Sequence, residues 1–145
     1  MTLAYEFYLF NKGKVPGIDW EVVNLKQDYA TVSIGTTIQG STTGAGGDTN
    51  QGWSVSSTTK INITGYTKLC ANVTSITPNG LFLGIDVSKK VKASDYSNLQ
   101  AYSLITQKGK VSVDISSIES GYIGLGRNWW QMNASQLTVD QIWLE

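Results

Sequence analysis

Apolar residues in this chain recur at every second position within short runs. Leu81, Leu83, Ile85 and Val87 share one parity, and Phe82, Gly84 and Asp86 the other. Val111, Val113 and Ile115 oppose Ser112 and Asp114, while Ala30, Val32 and Ile34 oppose Thr31 and Ser33. Side chains of a strand alternate between its two faces, so a period of two with one apolar parity marks a half-buried strand. The pattern predicts strands at Tyr5–Phe10, Trp20–Leu25, Tyr29–Ile34, Lys60–Ile63, Lys68–Thr74, Leu81–Val87, Ala101–Thr106, Lys110–Ile115, Gly121–Gly126 and Leu137–Leu144. In the last of these, Leu137 and Val139 share one parity but Ile142 and Leu144 share the other. One extra residue near Asp140–Gln141, a β-bulge, reconciles them.

Turn chemistry falls between these runs. Thr77-Pro78-Asn79-Gly80 predicts a hairpin, since Asn-Gly is a strong short hairpin signal, and Gln107-Lys108-Gly109-Lys110 predicts another. Val91–Leu99 has room for one short helix or turn, with Ser94 and Asp95 as caps. Residues 35–52 are rich in Gly, Ser and Thr and read as a long loop closed by Trp53. Such a composition buries too little apolar area to offset its ordering entropy alone, and long loops in compact domains are often functional. Many short strands separated by Gly and Asn turns imply an all-β protein, a two-sheet antiparallel β-sandwich. The length of 145 residues implies a single domain over residues 1–145.

Charge and composition narrow the function. The net charge is zero, with 11 basic and 11 acidic residues, which argues against nucleic acid as a partner. Lys89, Lys90 and Lys92 form the only dense basic stretch and read as a solvated segment. No apolar run reaches the length needed to span a membrane. Met1-Thr2-Leu3-Ala4-Tyr5 lacks the basic and apolar regions of a signal peptide. Charged residues make up only 15% of the chain, with Ser, Thr, Asn, Gln and Gly in their place. That neutral polar surface suits an extracellular or virion protein without a signal peptide.

Three segments resemble a known type of module. They are Tyr8-Leu9-Phe10-Asn11-Lys12-Gly13 with Gly17-Ile18-Asp19-Trp20, the run from Lys60 to Leu69, and the run from Val113 to Gly126. With Val139–Leu144 they resemble jelly-roll modules in tail and fibre proteins of phages and prophages. They are similar as well to carbohydrate-binding modules of the galactose-binding-like β-sandwich type. The resemblance implies a non-catalytic recognition module of a phage or prophage structural protein, binding host-surface glycan. The alternatives are a purely structural or oligomerisation domain of a virion protein, and a carbohydrate-binding module of a bacterial secreted enzyme. Partners implied are the glycan and other virion subunits. Fibre parts are commonly trimeric, so an exposed aromatic patch would alternatively serve as a homotrimer interface.

Enzyme chemistry finds little footing. With no histidine there is no Ser-His-Asp triad and no Cys-His pair. The single cysteine, Cys70, lies in an apolar run and reads as a buried, inert thiol. Gly44-Ala45-Gly46-Gly47 lacks the Lys-Ser/Thr of a phosphate loop. The carboxylates are scattered, with no glycosidase-like pair in a distinctive motif. No cofactor is expected. A structural calcium ion is common in modules of this kind, and Glu6 and Asp140, near opposite chain ends, are the side chains that could supply it.

Binding chemistry is better represented. Five tryptophans and seven tyrosines are many for this length, and aromatic faces stack on the C–H faces of sugars while amides bond the hydroxyls. The best-fitting segment is Arg127-Asn128-Trp129-Trp130-Gln131. In extended backbone the two indoles point to opposite sides, leaving one in the core and one in solvent beside the donors of Arg127, Asn128 and Gln131. Both packing under a loop is the alternative. Trp53 is a candidate to close over the ligand or to anchor its loop. Trp20 and Trp143 read as core residues. Phe82, on the parity of Asp86, reads as facing outward, against a ligand, a loop or a neighbouring subunit.

Overall fold

A computed structural model describes residues 6–25, 29–43, 52–93, 99–128 and 133–145. Those residues form twelve strands and no helix. In chain order they are β1 (Phe7–Asn11), β2 (Trp20–Leu25), β3 (Ala30–Ile34), β4 (Ile38–Thr42), β5 (Trp53–Ser57), β6 (Ile61–Asn62), β7 (Lys68–Thr77), β8 (Leu81–Asp86), β9 (Ala101–Leu104), β10 (Gly109–Asp114), β11 (Ser120–Arg127) and β12 (Ser135–Leu144). They make two antiparallel sheets. Sheet A has the order β10-β7-β12-β4-β3, with β1 also paired to β12. Sheet B has the order β2-β5-β11-β8-β9, with β6 also paired to β11. The expected β-sandwich is present, and its inward residues from both sheets form one core that includes Leu9, Phe10, Ile38, Trp53, Leu69, Leu83, Ile123 and Ile142.

The terminal strands close sheet A together, with Phe7 opposite Leu144 and Tyr8 opposite Trp143. The bulge falls where the parity switch requires it. Pairing of β12 with β7 shifts between Val139 and Gln141, after an earlier shift between Thr138 and Val139. Leu137 and Val139, then Ile142 and Leu144, therefore all reach the core.

Three sequence expectations are corrected. The stretch 35–52 is not one loop, because Ile38–Thr42 is a strand between β12 and β3. Its inward positions are Ile38, Gly40 and Thr42, all buried, and Gly40 carries no side chain because the Trp53 indole occupies that space. A Cβ on Gly40 would lie 2.4 Å from Trp53 Cε2 and Cζ2. Thr77-Pro78-Asn79-Gly80 is not a hairpin: it carries the chain from β7 in sheet A to β8 in sheet B, with Gly80 at φ 66°. Residues 105–108 likewise pass from β9 in sheet B to β10 in sheet A. Such turns direct the chain without specifying which sheet receives it. Strand β5 alternates Trp53 and Val55 with Ser54 and Ser56, yet all five of its residues are buried, because both of its faces are covered.

Its second face is buried by a strap across the outside of sheet B. Asp86 starts the strap, its Oδ1 accepting from the Ser88 N–H, the Ser88 hydroxyl and the Lys89 N–H. The chain then crosses β11 and β5. Val91 N–H donates to Ser56 Oγ at 3.1 Å and Ala93 N–H to Asn24 Oδ1 at 2.9 Å. Val91 and Leu99 pack with outward-facing Phe82 in a second, smaller apolar cluster. The helix or turn expected within Val91–Leu99, with its caps Ser94 and Asp95, falls mainly on residues 94–98, outside the described residues.

Candidate functional site

Arg127 ends β11, opposite both Trp53 and Leu81. Its side chain is fully buried, and Nη2 donates to the Asn133 carbonyl at 2.5 Å. Burial draws its pKa below the ordinary arginine value. The same carbonyl accepts from Asn79 Nδ2 at 2.9 Å. Asn128 is buried too, and its N–H donates to the Gly80 carbonyl. A guanidinium that ties the end of β11 to the approach to β12 is a support. Trp53 is also fully enclosed, with its indole against Gly40. Neither Arg127 nor Trp53 offers surface to a ligand in this structure. Trp129, Trp130 and Gln131 lie outside the described residues.

The two broad outer faces of the sandwich differ. That of sheet B lies under the strap. On sheet A, Thr31 and Ser33 of β3, Gln39 and Ser41 of β4, and Gln136 of β12 line a groove of about 210 Å3, with the Gly40 backbone in its floor. Strand register sets this arrangement. Gln39 lies opposite Ser33 and Thr138, and Ser41 opposite Thr31 and Gln136. Thr31, Ser33, Gln39 and Ser41 are exposed and Gln136 is half-buried. Gln136 is held in place: Ser75 Oγ donates to its Oε1 at 2.8 Å, and its Nε2 donates to Thr138 Oγ1 at 2.6 Å. No lining residue is ionisable. The volume is below the roughly 300–1,000 Å3 of pockets that enclose a drug-sized molecule, so the groove suits part of a longer ligand.

An aromatic pair lies farther along β12 on the same face. Tyr8 and Trp143 face each other across β1 and β12 with ring centroids 6.0 Å apart. Trp143 Nε1 donates to Glu145 Oε2 at 2.9 Å, and the same oxygen meets Lys110 Nζ at 2.7 Å. The Tyr8 hydroxyl donates to Glu6 Oε2, which raises the phenol's pKa. Trp20, by contrast, packs against the core edge-on to Phe10, and its Nε1 donates to the Leu9 carbonyl.

Glu6 and Asp140, the two carboxylates that could supply a calcium ion, each accept a side-chain hydrogen bond, Glu6 from the Tyr8 hydroxyl. Asp140 Oδ1 accepts from Asn72 Nδ2, and no group of three or more metal-ligating side chains exists among the described residues. Lys90 pairs with Glu21 at 2.7 Å, so the basic stretch helps fasten the strap. Phe82 faces outward as its parity requires and has no exposed surface, because the strap covers it. Cys70 is buried, with its thiol 3.8 Å from Ser112 Oγ and its pKa pushed up by loss of solvent. Sequence reasoning missed the groove. Its signal was the alternation Thr31-Val32-Ser33 and Gln39-Gly40-Ser41, whose polar parity looks like any solvated strand face.

No protein-family model matches the sequence, and no curated protein matches it significantly. Solved structures do match over nearly the full length. One is the low-affinity xylan binding module CBM86 from the xylanolytic gut symbiont Roseburia intestinalis. It has 11% identity and a TM-score of 0.57, covering 98% of this chain and 96% of that one. Another is a mutant of CBM29-2, a family 29 carbohydrate binding module. It has 10% identity and a TM-score of 0.55, covering 98% of this chain and 92% of that one. At such identities the likeness is one of architecture: this chain has the antiparallel β-sandwich fold found in carbohydrate-binding modules.

Proposed function

We propose that this protein is a non-catalytic carbohydrate-recognition module. The observation that carries the reading is the open, uncharged groove of hydroxyl and amide side chains on sheet A. Groups that both donate and accept, set on a rigid sheet, suit a ligand made of neutral hydroxyls. The shared architecture with a xylan binding module supports the same reading. The absence of histidine in the sequence and of carboxylates from the groove lining fits binding without turnover.

In this reading one of Trp129 and Trp130, which lie between buried Asn128 and the groove residue Gln136 in sequence, supplies the aromatic platform. Losing a platform indole costs on the order of 1–3 kcal/mol, roughly 5- to 150-fold in affinity. The experiment is a glycan array with the whole chain, followed by Trp129→Ala and Trp130→Ala separately. Neutral glycans should bind without release of reducing sugar, and one of the two variants should lose binding while keeping its melting temperature. An array with no neutral glycan bound would overturn the reading.

Two carriers suit such a module outside a cell: a phage or prophage tail, fibre or baseplate protein, and a bacterial secreted enzyme. The first follows from the sequence resemblance and includes other virion subunits as partners and a trimeric arrangement. An antibody against the chain separates them. Signal in purified virions supports the first, and signal on a soluble secreted hydrolase supports the second.

A further inference from the structure

The Gln136 side chain spans two strands. Ser75 on β7 donates to its carbonyl oxygen, and its amide nitrogen donates to Thr138 on β12. A carboxamide has two N–H donors and two acceptor lone pairs. The two internal bonds use one of each and fix the amide plane against the sheet. What remains on the carboxamide is one N–H and one lone pair, on a residue that lines the groove. This holds for either orientation of the amide, because both hydroxyl neighbours can donate or accept. Gln39, a second carboxamide, sits diagonally across β4, since Gln39 pairs with Thr138 and Gln136 with Ser41. The hydroxyls of Thr31, Ser33 and Ser41 complete the lining.

A group that matches an adjacent donor and acceptor is a pair of neighbouring hydroxyls, each able to do both. A carboxylate cannot donate, and it would lose solvation in a lining that holds no cation. We infer that Gln136, fixed by Ser75 and Thr138, is the specificity-determining residue of the groove, and that it reads a vicinal diol on an uncharged sugar unit. This rests on the proposed glycan-binding role and adds the ligand class and the residue that selects it.

The test is affinity electrophoresis of the whole chain in native gels containing xylan, glucomannan or polygalacturonate. A second set of gels contains the same neutral polymers after periodate cleavage of their vicinal diols and borohydride reduction. At least one intact neutral polymer should retard the protein, and its oxidised form should not. Polygalacturonate, which has diols but is charged, should retard it far less. Gln136→Ala should weaken retardation about tenfold, the effect of losing a hydrogen-bonding pair. Its melting temperature should stay that of the wild type, since Gln136 is half-buried and off the core. Ser75→Ala, which frees the amide to rotate, should weaken binding by a smaller factor. Unchanged retardation of Gln136→Ala would overturn the assignment of the reader while leaving glycan binding intact. Equal retardation by the oxidised polymer would overturn the diol, and equal retardation by polygalacturonate the neutral ligand. Failure of every polymer to retard the wild type would instead overturn the glycan-binding role itself.

Discussion

Replacing Gly40 by alanine tests whether the Trp53–Gly40 contact sets the spacing of the sandwich at this end. Without a steric conflict, Gly→Ala stabilises by about 0.4–1 kcal/mol through the unfolded state. Here the added methyl would lie 2.4 Å from Trp53 Cε2 and Cζ2 and 2.7 Å from Cδ2. Ordinary contact begins near 3.4 Å, so ring or strand must retreat by about 1 Å. The indole is rigid and fully enclosed, and β4 is paired on both sides. Overpacking a close-packed interior costs about 1–3 kcal/mol. The expected net loss is about 1.3 kcal/mol, some tenfold in the folding equilibrium, or a melting temperature lower by roughly 3–5 °C for a chain of this size. Urea unfolding followed by circular dichroism reads it directly. Gly35→Ala is the control, because nothing lies within 4 Å of its added Cβ, and it should be neutral or slightly stabilising. Trp53→Phe should cost less in the Gly40→Ala background than alone, since the smaller ring makes room for the methyl. A Gly40→Ala protein as stable as the wild type, or a cycle with no coupling, would refute the reasoning.

Two further outcomes follow from groups near Trp143. Cys70 is buried and its pKa raised by desolvation, so at about pH 8 a thiol reagent should label the native protein far more slowly than the urea-unfolded chain; equal rates would mean that β7 opens freely. The Glu145 carboxyl is held below its ordinary pKa by Lys110, then by the Trp143 N–H, and Asp114 by the backbone and hydroxyl of Ser116. A depressed folded pKa gives stabilisation that is complete above the ordinary carboxylate range and is lost as pH falls through the folded value. The melting temperature should therefore drop below about pH 4.5, and Glu145→Gln should remove part of that drop; a wild-type curve flat through this acid range would refute it.

The sequence was most legible where large apolar residues alternate. Gly109–Asp114 follows directly from parity, Leu81–Asp86 is a strand as parity predicts but is buried on both faces rather than one, and the parity switch in β12 marks its bulge. It was least legible where small residues build strands. β4 is Ile-Gln-Gly-Ser-Thr, and only the distant Trp53 explains why a glycine there belongs in a sheet. Turn sequences gave the positions of chain reversal but not the destination, since Asn79-Gly80 serves an inter-sheet crossing as readily as a hairpin. The groove was invisible for a related reason. Thr31, Ser41 and Gln136 lie far apart in sequence, and only the pairing of β4 with both β3 and β12 brings them into one row. Arg127 looked like a ligand donor because nothing in its neighbours shows that its guanidinium turns inward toward Asn133.

The division of labour between the two outer faces has a physical origin in where the glycines fall. On sheet B, Gly84 and Gly124 are paired neighbours on the outward parity. A Cβ on Gly124 would lie 2.5 Å from Val91, and one on Gly84 would lie 2.6 Å from Leu99. The sheet is bare there so that the strap can come close, and Phe82 beside it supplies the apolar surface that holds the strap down. A ligand on that face would have to displace a packed segment fastened by Asp86, Ser56 and Asn24. On sheet A, the outward parity of β3, β4 and the first half of β12 has side chains of intermediate size, all able to hydrogen-bond, and the groove they line stays open. Polar groups that remain in water cost the fold little, so these positions are free to serve recognition rather than stability. Substitutions at Gly84 or Gly124 should therefore register as losses of stability, and substitutions at Gln39 or Gln136 as losses of binding.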